Sequence, residues 1–144
     1  MKERIRRGNI KDRKIILSLL NSDHNVYGRE DDRFQEKEVN QYLKDNLHKI
    51  FVYEFNKKVI AVMIAQFFKI AKYIYLYFLV VDKSYQAQGI ATKLIDYLEA
   101  IAKKQGYSLI EGLTKKSNAR MQNFFVKNKY KRGDLYLHFY KDLI

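Results

Sequence analysis

The segment at residues 73–81, Tyr-Ile-Tyr-Leu-Tyr-Phe-Leu-Val-Val, constrains the fold more than any other part of the chain. It is apolar and aromatic almost without a break, the pattern of a central strand. A polar turn follows it. From about residue 89 to 105 the hydrophobic period becomes helical, with Ile90, Leu94, Leu98 and Ile101 on one face and Gly106 placed to end the helix. Residues 107–114 then read as another strand. A strand, a helix and a strand in that order imply a right-handed crossover and a local parallel pair.

The flanking segments complete the sheet. Residues 50–55 and 59–68 are β-branched and aromatic runs split by Asn56-Lys57-Lys58, a hairpin signature that implies antiparallel pairing. Residues 5–10 read as a short first strand. Asp12 is placed to cap a helix lined by Ile15, Ile16, Leu19 and Leu20. Residues 21–32 are polar, contain Gly28 and read as a loop. A second helix is expected over 34–47, with Val39, Tyr42, Leu43 and Leu47 inward and Glu30-Asp31-Asp32 near its N-terminus. Residues 117–128 read as a helix and 135–140 as a last strand. The expected fold is therefore α/β, with a mixed central sheet and flanking helices. A chain of 144 residues suits one domain, spanning 1–144.

Composition removes some chemistry. The chain has no cysteine, which excludes disulfides, thiolate metal sites and a cysteine nucleophile. No His/Asp/Glu spacing suggests a metal. His24 and His48 fall in or near loops, and His138 in the last strand. No stretch reaches the ~18 apolar residues of a membrane span. The first seven residues are too charged to lead into a signal peptide, so a soluble, cytoplasmic protein is expected. The formal charge of +12 suggests a polyanionic partner, either a nucleic acid or a phosphorylated cofactor. The lysines are dispersed, however, as on an ordinary solvated surface, and no nucleic-acid motif appears.

The stretch Val81-Asp82-Lys83-Ser84-Tyr85-Gln86-Ala87-Gln88-Gly89-Ile90-Ala91-Thr92 carries the chemistry. A buried strand enters a polar turn of small residues, and the turn opens a helix. The first N–H groups of a helix lack intrahelical partners and sit at the positive end of its dipole, which suits diphosphate oxygens. Gly89 and Ala91 keep bulk away from the backbone, and Gln86 and Gln88 add neutral donors. On spacing alone, a glycine before a helix is as often a simple turn. The stretch is neither a Walker loop nor a Rossmann fingerprint.

Gln86-x-x-Gly89-x-Ala91 after a strand ending in Val81 resembles the acetyl-CoA motif of GNAT N-acetyltransferases. Asn118, Met121, Phe124, Phe125 and Tyr130 fall where that family has its second motif, and the element order agrees along the whole chain. The resemblance implies an acyl-CoA N-acyltransferase fold in which two parallel strands splay apart around the pantetheine arm. It implies that backbone groups of Leu79, Val80 and Val81 bond the pantetheine amides. It also implies that Gln86, Ala87, Gln88, Gly89, Ile90, Ala91 and Thr92 hold the diphosphate, and that Asn118 and Phe125 lie along the cofactor. Asn118 can equally be a helix cap. Acetyl-CoA and an amine acceptor would be the partners, with no membrane or nucleic acid, and a homodimer is compatible with the resemblance.

Three positions depart from the family pattern. Phe125 stands where many members have a tyrosine that protonates the leaving thiolate. Lys129 stands in place of a glycine. Tyr75 and Tyr77 occupy central-strand positions where some members carry Glu or His. Tyr73, Tyr75 and Tyr77 should share one strand face. They are either a polar-tipped wall of the acceptor pocket, with Tyr75 or Tyr77 as the acid, or plain cross-strand packing. Glu111 should lie on the strand beside the cleft, and the same residue could simply be exposed. Asp23, Glu30, Asp31 and Asp32 would favour a cationic amine. The competing class is a basic nucleic-acid- or protein-binding module, including a catalytically degenerate GNAT domain.

Overall fold

The computed structural model describes residues 2–27 and 32–144. Residues up to Leu113 form one compact unit, and Thr114–Ile144 form a second. The first unit holds β1 (Glu3–Arg7), α1 (Arg13–Leu20), α2 (His24–Tyr27), α3 (Glu36–Lys44), β2 (His48–Phe55), β3 (Lys58–Phe68), β4 (Tyr73–Val81), α4 (Ile90–Lys104) and β5 (Leu109–Gly112). The sheet order is β1-β2-β3-β4-β5, antiparallel from β1 to β4 and parallel between β4 and β5. The expected mixed sheet with flanking helices is therefore present. The β2–β3 hairpin turns on Asn56 and Lys57, both left-handed (φ 50° and 67°), which matches the strand twist.

The two faces of the sheet bury different layers. Ile50, Val52, Val62, Ile64 and Val80 pack with Ile16, Leu19, Leu20 of α1 and Val39 of α3. The alternate residues point to the other face, where the ring of Phe51 meets Tyr97 of α4. Ile90, Leu94, Ile95, Leu98 and Ala102 form the buried stripe of α4. Ile101, expected inward, is only partly buried, and Ala102 takes the inner place. Gly106, left-handed at φ 77°, ends the helix as expected, and Tyr107 N donates to Ala102 O at 2.9 Å.

Several boundaries differ from the sequence reading. β1 ends at Arg7, because Asn9 and Asp12 form a reciprocal capping box around a tight turn at Ile10–Asp12. Asp12 makes no side-chain cap on α1. Arg6 grips its carboxylate through two hydrogen bonds of 2.8 and 2.9 Å, and Asn9 N–H donates to it at 2.8 Å. The helix expected over 34–47 runs only from Glu36 to Lys44, so Leu47 is 58% exposed rather than inward. The polar loop at 21–32 contains the short α2, while Gly28, Glu30 and Asp31 lie outside the described residues.

In the second unit, α5 runs Ala119–Lys127. The strand expected over 135–140 is absent: residues 131–144 carry no helix or strand, and Leu135, Leu137 and Phe139 are 84%, 83% and 85% exposed. Alternation gives a segment an apolar face, but a strand also needs a partner for its backbone groups.

The Arg6–Asp12 pair makes a testable contribution. The Arg6 hydrogen bonds, with the Asn9 N–H and the Arg6 charge, outweigh the raising effect of burial and hold the Asp12 carboxyl below its usual range. A lowered folded-state pKa adds stability that is present above the unfolded value and lost as pH falls through the folded one. Asp12→Asn is expected to cost about 2–3 kcal/mol near pH 7. That difference should begin to shrink below pH ~4, where the unfolded chain's carboxyl takes up its proton, and go on shrinking until the folded one does so at lower pH. Urea denaturation of both proteins at the two pH values checks this.

Candidate functional site

The site begins where β4 loses one neighbour. Its parallel pairing with β5 ends at Leu76↔Gly112, but β4 continues to Val81, paired with β3 as far as Ala61↔Val81. Toward β5, the backbone of residues 77–81 therefore has no ladder partner among the described residues. Leu79, Val80 and Val81 are 8%, 4% and 9% exposed as whole residues, so what this stretch leaves without a ladder partner is its backbone. Such an edge accepts an extended chain of amides by strand addition.

The strand leads into a turn with defined geometry. Asp82 accepts Ser84 N–H at 2.9 Å. Gln86 Nε2 donates to Val81 O at 3.0 Å, so this side chain ties the turn to the strand end. The sequence reading had offered that amide to a diphosphate. Ala87 and Gly89 are both left-handed, at φ 63° and 80°. Gly89 is the N-cap of α4, no side chain caps the helix, and Lys93 N donates back to Gly89 O at 3.0 Å. A Cβ on Gly89 would meet nothing within 4 Å, so open space lies over this helix end. A left-handed residue followed by a helical one gathers successive N–H groups into an anion-binding concavity. Ala87, Gln88 and Gly89 are exposed and Ile90 is buried.

Upstream on β4, an extra residue re-aims the strand. Ile64 pairs with Phe78 and Ala65 with Leu76, leaving Tyr77 as a bulge. Tyr77 is 41% exposed, and its hydroxyl donates to Gln66 Oε1 at 2.9 Å. Tyr75 packs edge-on against it, with ring centroids 4.7 Å apart. Tyr73 stands apart, stacked on Phe68 at 4.5 Å. Burial, Tyr77 and Glu111 push the Tyr75 phenol above its usual pKa, which keeps it a neutral donor. Glu111 itself is exposed and lies opposite Tyr75 across the β4–β5 pair.

The sequence reading missed one group here. His48 Nδ1 donates to Asp45 Oδ2 at 2.8 Å. Its ring lies 4.7 Å from that of Tyr42 and 5.4 Å from that of Tyr77. Asp45 also accepts Leu47 N–H at 3.0 Å and His48 N–H at 2.7 Å. Burial alone would raise the Asp45 carboxyl. The hydrogen bonds from the His48 backbone and ring outweigh it, and the net effect is a lowered pKa. The available signal was Asp45-x-x-His48 just after a helix C-terminus.

In the second unit, Asn118 is the N-cap of α5 and accepts Met121 N–H at 3.1 Å. Phe125 packs on Phe124 at 5.7 Å and on Tyr130 at 5.2 Å.

One family model matches the chain, and solved structures share its fold. The model of the acetyltransferase (GNAT) family matches residues 14–130. No curated protein matches the chain. Among solved structures, the chain is similar to a possible acetyltransferase from Clostridium difficile 630, with 19% identity, full coverage of both chains and a TM-score of 0.83. It is also similar to an aminoglycoside acetyltransferase, meta-AAC0020, from an uncultured soil metagenomic sample in complex with sisomicin. There the identity is 20%, coverage is 99% of this chain and 97% of the other, and the TM-score is 0.79. A third is the aminoglycoside N-acetyltransferase AAC(6')-Iy in complex with CoA, at 14% identity, 99% and 96% coverage and a TM-score of 0.79. At these identities the structural likeness is one of fold.

Proposed function

The chain belongs to the acetyltransferase (GNAT) family, and from that premise we propose that it moves an acetyl group from acetyl-CoA to a primary amine of a small molecule or peptide by direct attack. The observation that carries this reading is the open backbone edge of β4 running into the uncapped, left-handed start of α4. The edge suits the pantetheine amides along Leu79, Val80 and Val81. The turn suits the diphosphate, with the backbone of Ala87 to Thr92 as donors and Gln86 bracing the loop. On the family resemblance, Asn118 and Phe125 are proposed as further cofactor residues and residues 1–144 as one catalytic domain in the cytoplasm.

Direct attack needs no protein nucleophile. The neutral amine adds to the thioester carbon, a C–N bond forms, the C–S bond breaks, and the thiolate takes a proton. Proximity and charge stabilisation supply most of the acceleration. Phe125 has no proton to give, so Tyr75 or Tyr77 is proposed as the donor to sulfur.

The test is thermodynamic first. Acetyl-CoA should stabilise the fold by about 2.7 kcal/mol at 100 times its dissociation constant. Thermal melts with increasing acetyl-CoA read this, and no shift at millimolar ligand would overturn the proposal. Thiol release with sisomicin, spermidine and a free peptide N-terminus then separates the acceptor classes.

A further inference from the structure

The acceptor side of the site needs a group that takes a proton. An amine is cationic near neutral pH and becomes a nucleophile only once deprotonated. Tyr75, its phenol pushed above its usual pKa, is not a base at that pH, the Tyr77 hydroxyl is spent on Gln66, and the exposed Glu111 has no hydrogen bond that fixes its direction among the described residues.

The His48 ring is held differently. Its Nδ1–H is fixed on Asp45, which orients the imidazole and sets the tautomer with Nε2 as the acceptor. Asp45 is itself fixed by two backbone N–H groups, so the carboxylate is a rigid support. The ring is wedged between Tyr42 of α3 and Tyr77 at the β4 bulge, with its side chain 16% exposed. A depression of about 410 Å³ lies along α3, lined by Lys37, Glu38, Gln41 and the same Tyr42 that packs on this ring. The titratable groups facing the ring are Asp45 and Tyr42, with Glu38 behind Tyr42, on the α3 side. On the β4 side they are Tyr77 and then Tyr75, with Glu111 beyond. Burial raises the Tyr42 phenol first, and Glu38, Tyr77 and Asp45 add to the rise, so it stays neutral.

We infer that His48, oriented by Asp45, is the base that takes the proton from the acceptor ammonium, directly or through one water, where its ring stands between Tyr42 and Tyr77. The inference rests on the acetyl-transfer reading and adds the group that reading lacks. The ammonium gives one proton to His48 Nε2, and the imidazolium later loses it to solvent. The neutral nitrogen then attacks. Its second proton passes to the departing sulfur through the phenol pair, giving amide and thiol with all protons accounted for. His48 is the catalytic residue and Asp45 the positioning residue.

The experiment compares the parent, His48→Gln and Asp45→Asn in the full-length chain. Each is followed by acetyl-CoA melts and by steady-state thiol release from pH 6 to 10 with sisomicin, spermidine and a free peptide N-terminus. Gln fills the imidazole's place, and Asn keeps an oxygen for the two backbone N–H groups. Expected near pH 7 is a loss of about 10²- to 10⁴-fold in kcat/KM for His48→Gln. A smaller loss is expected for Asp45→Asn, with the acetyl-CoA melting shift unchanged in both. The His48→Gln defect should shrink as pH rises and the amine deprotonates unaided. A defect of the same size at every pH would make the role structural and overturn the inference, as would full activity in His48→Gln. If the parent gains stability from acetyl-CoA and acetylates none of the three amines, the transfer reading itself fails and the base falls with it.

Discussion

Gly89→Asp folds, shows the parent's circular dichroism and gains no stability from acetyl-CoA. The substitution adds one side chain in a space where a Cβ meets nothing within 4 Å, so the interior is undisturbed. The φ of 80° costs a non-glycine residue about 1–2 kcal/mol, and Asp tolerates it better than most. The new carboxylate stands over the proposed diphosphate path. At ~4 Å and an effective permittivity of ~20, each pair of like unit charges costs about 4 kcal/mol. Affinity should fall at least ~100-fold, since ~2.8 kcal/mol already corresponds to that factor. Gly89→Ala separates the causes, because it carries the backbone strain without the charge. Calorimetric titration with acetyl-CoA reads all three proteins, and undiminished affinity in a folded Gly89→Asp chain would move the diphosphate site elsewhere.

Leu94→Ala is expected to cost about 3–5 kcal/mol of folding stability, among the largest effects of any single truncation. Leu94 is fully buried on the inner stripe of α4, at the helix whose first turn opens the proposed anion site. The empty volume would sit between the helix and the sheet, where neighbours cannot close on it. Chemical denaturation in urea measures the loss. A cost under ~1 kcal/mol would mean that α4 is held by something other than this packing.

The sheet was legible because its strands are long and their turns are chemically marked. The hairpin at Asn56 and Lys57 and the switch to helical period after Gly89 both follow from local residue preferences. The detail on β4 was not legible. One extra residue at Tyr77 inverts which side chains point to which face, so the even-numbered Ile74 and Leu76 lie on one face of the sheet and the equally even-numbered Phe78 and Val80 on the other. Read along the chain, this looks like continuous hydrophobicity with no bulge. The Asp45–His48 pair was hidden for a similar reason. It depends on α3 stopping at Lys44 and on Asp45 turning to extended backbone, and no periodic pattern records that. The donor of Gln86 could not be placed either, since a free amide and one spent on Val81 O read identically in sequence. At 135–140 the alternation was clear, but pairing is a property of two segments and cannot be read from one.

The turn before α4 carries an alanine, not a glycine, at one of its two left-handed positions, with φ 63° at Ala87. Glycine there would relieve backbone strain and let the loop sample many shapes. Alanine keeps the strain and narrows the choice. Much of the ordering entropy that a flexible loop loses on capturing an anion has therefore been lost already, at the folding step. A diphosphate bound at this turn as proposed would meet amides that are already aimed, and what it would have to immobilise is chiefly itself.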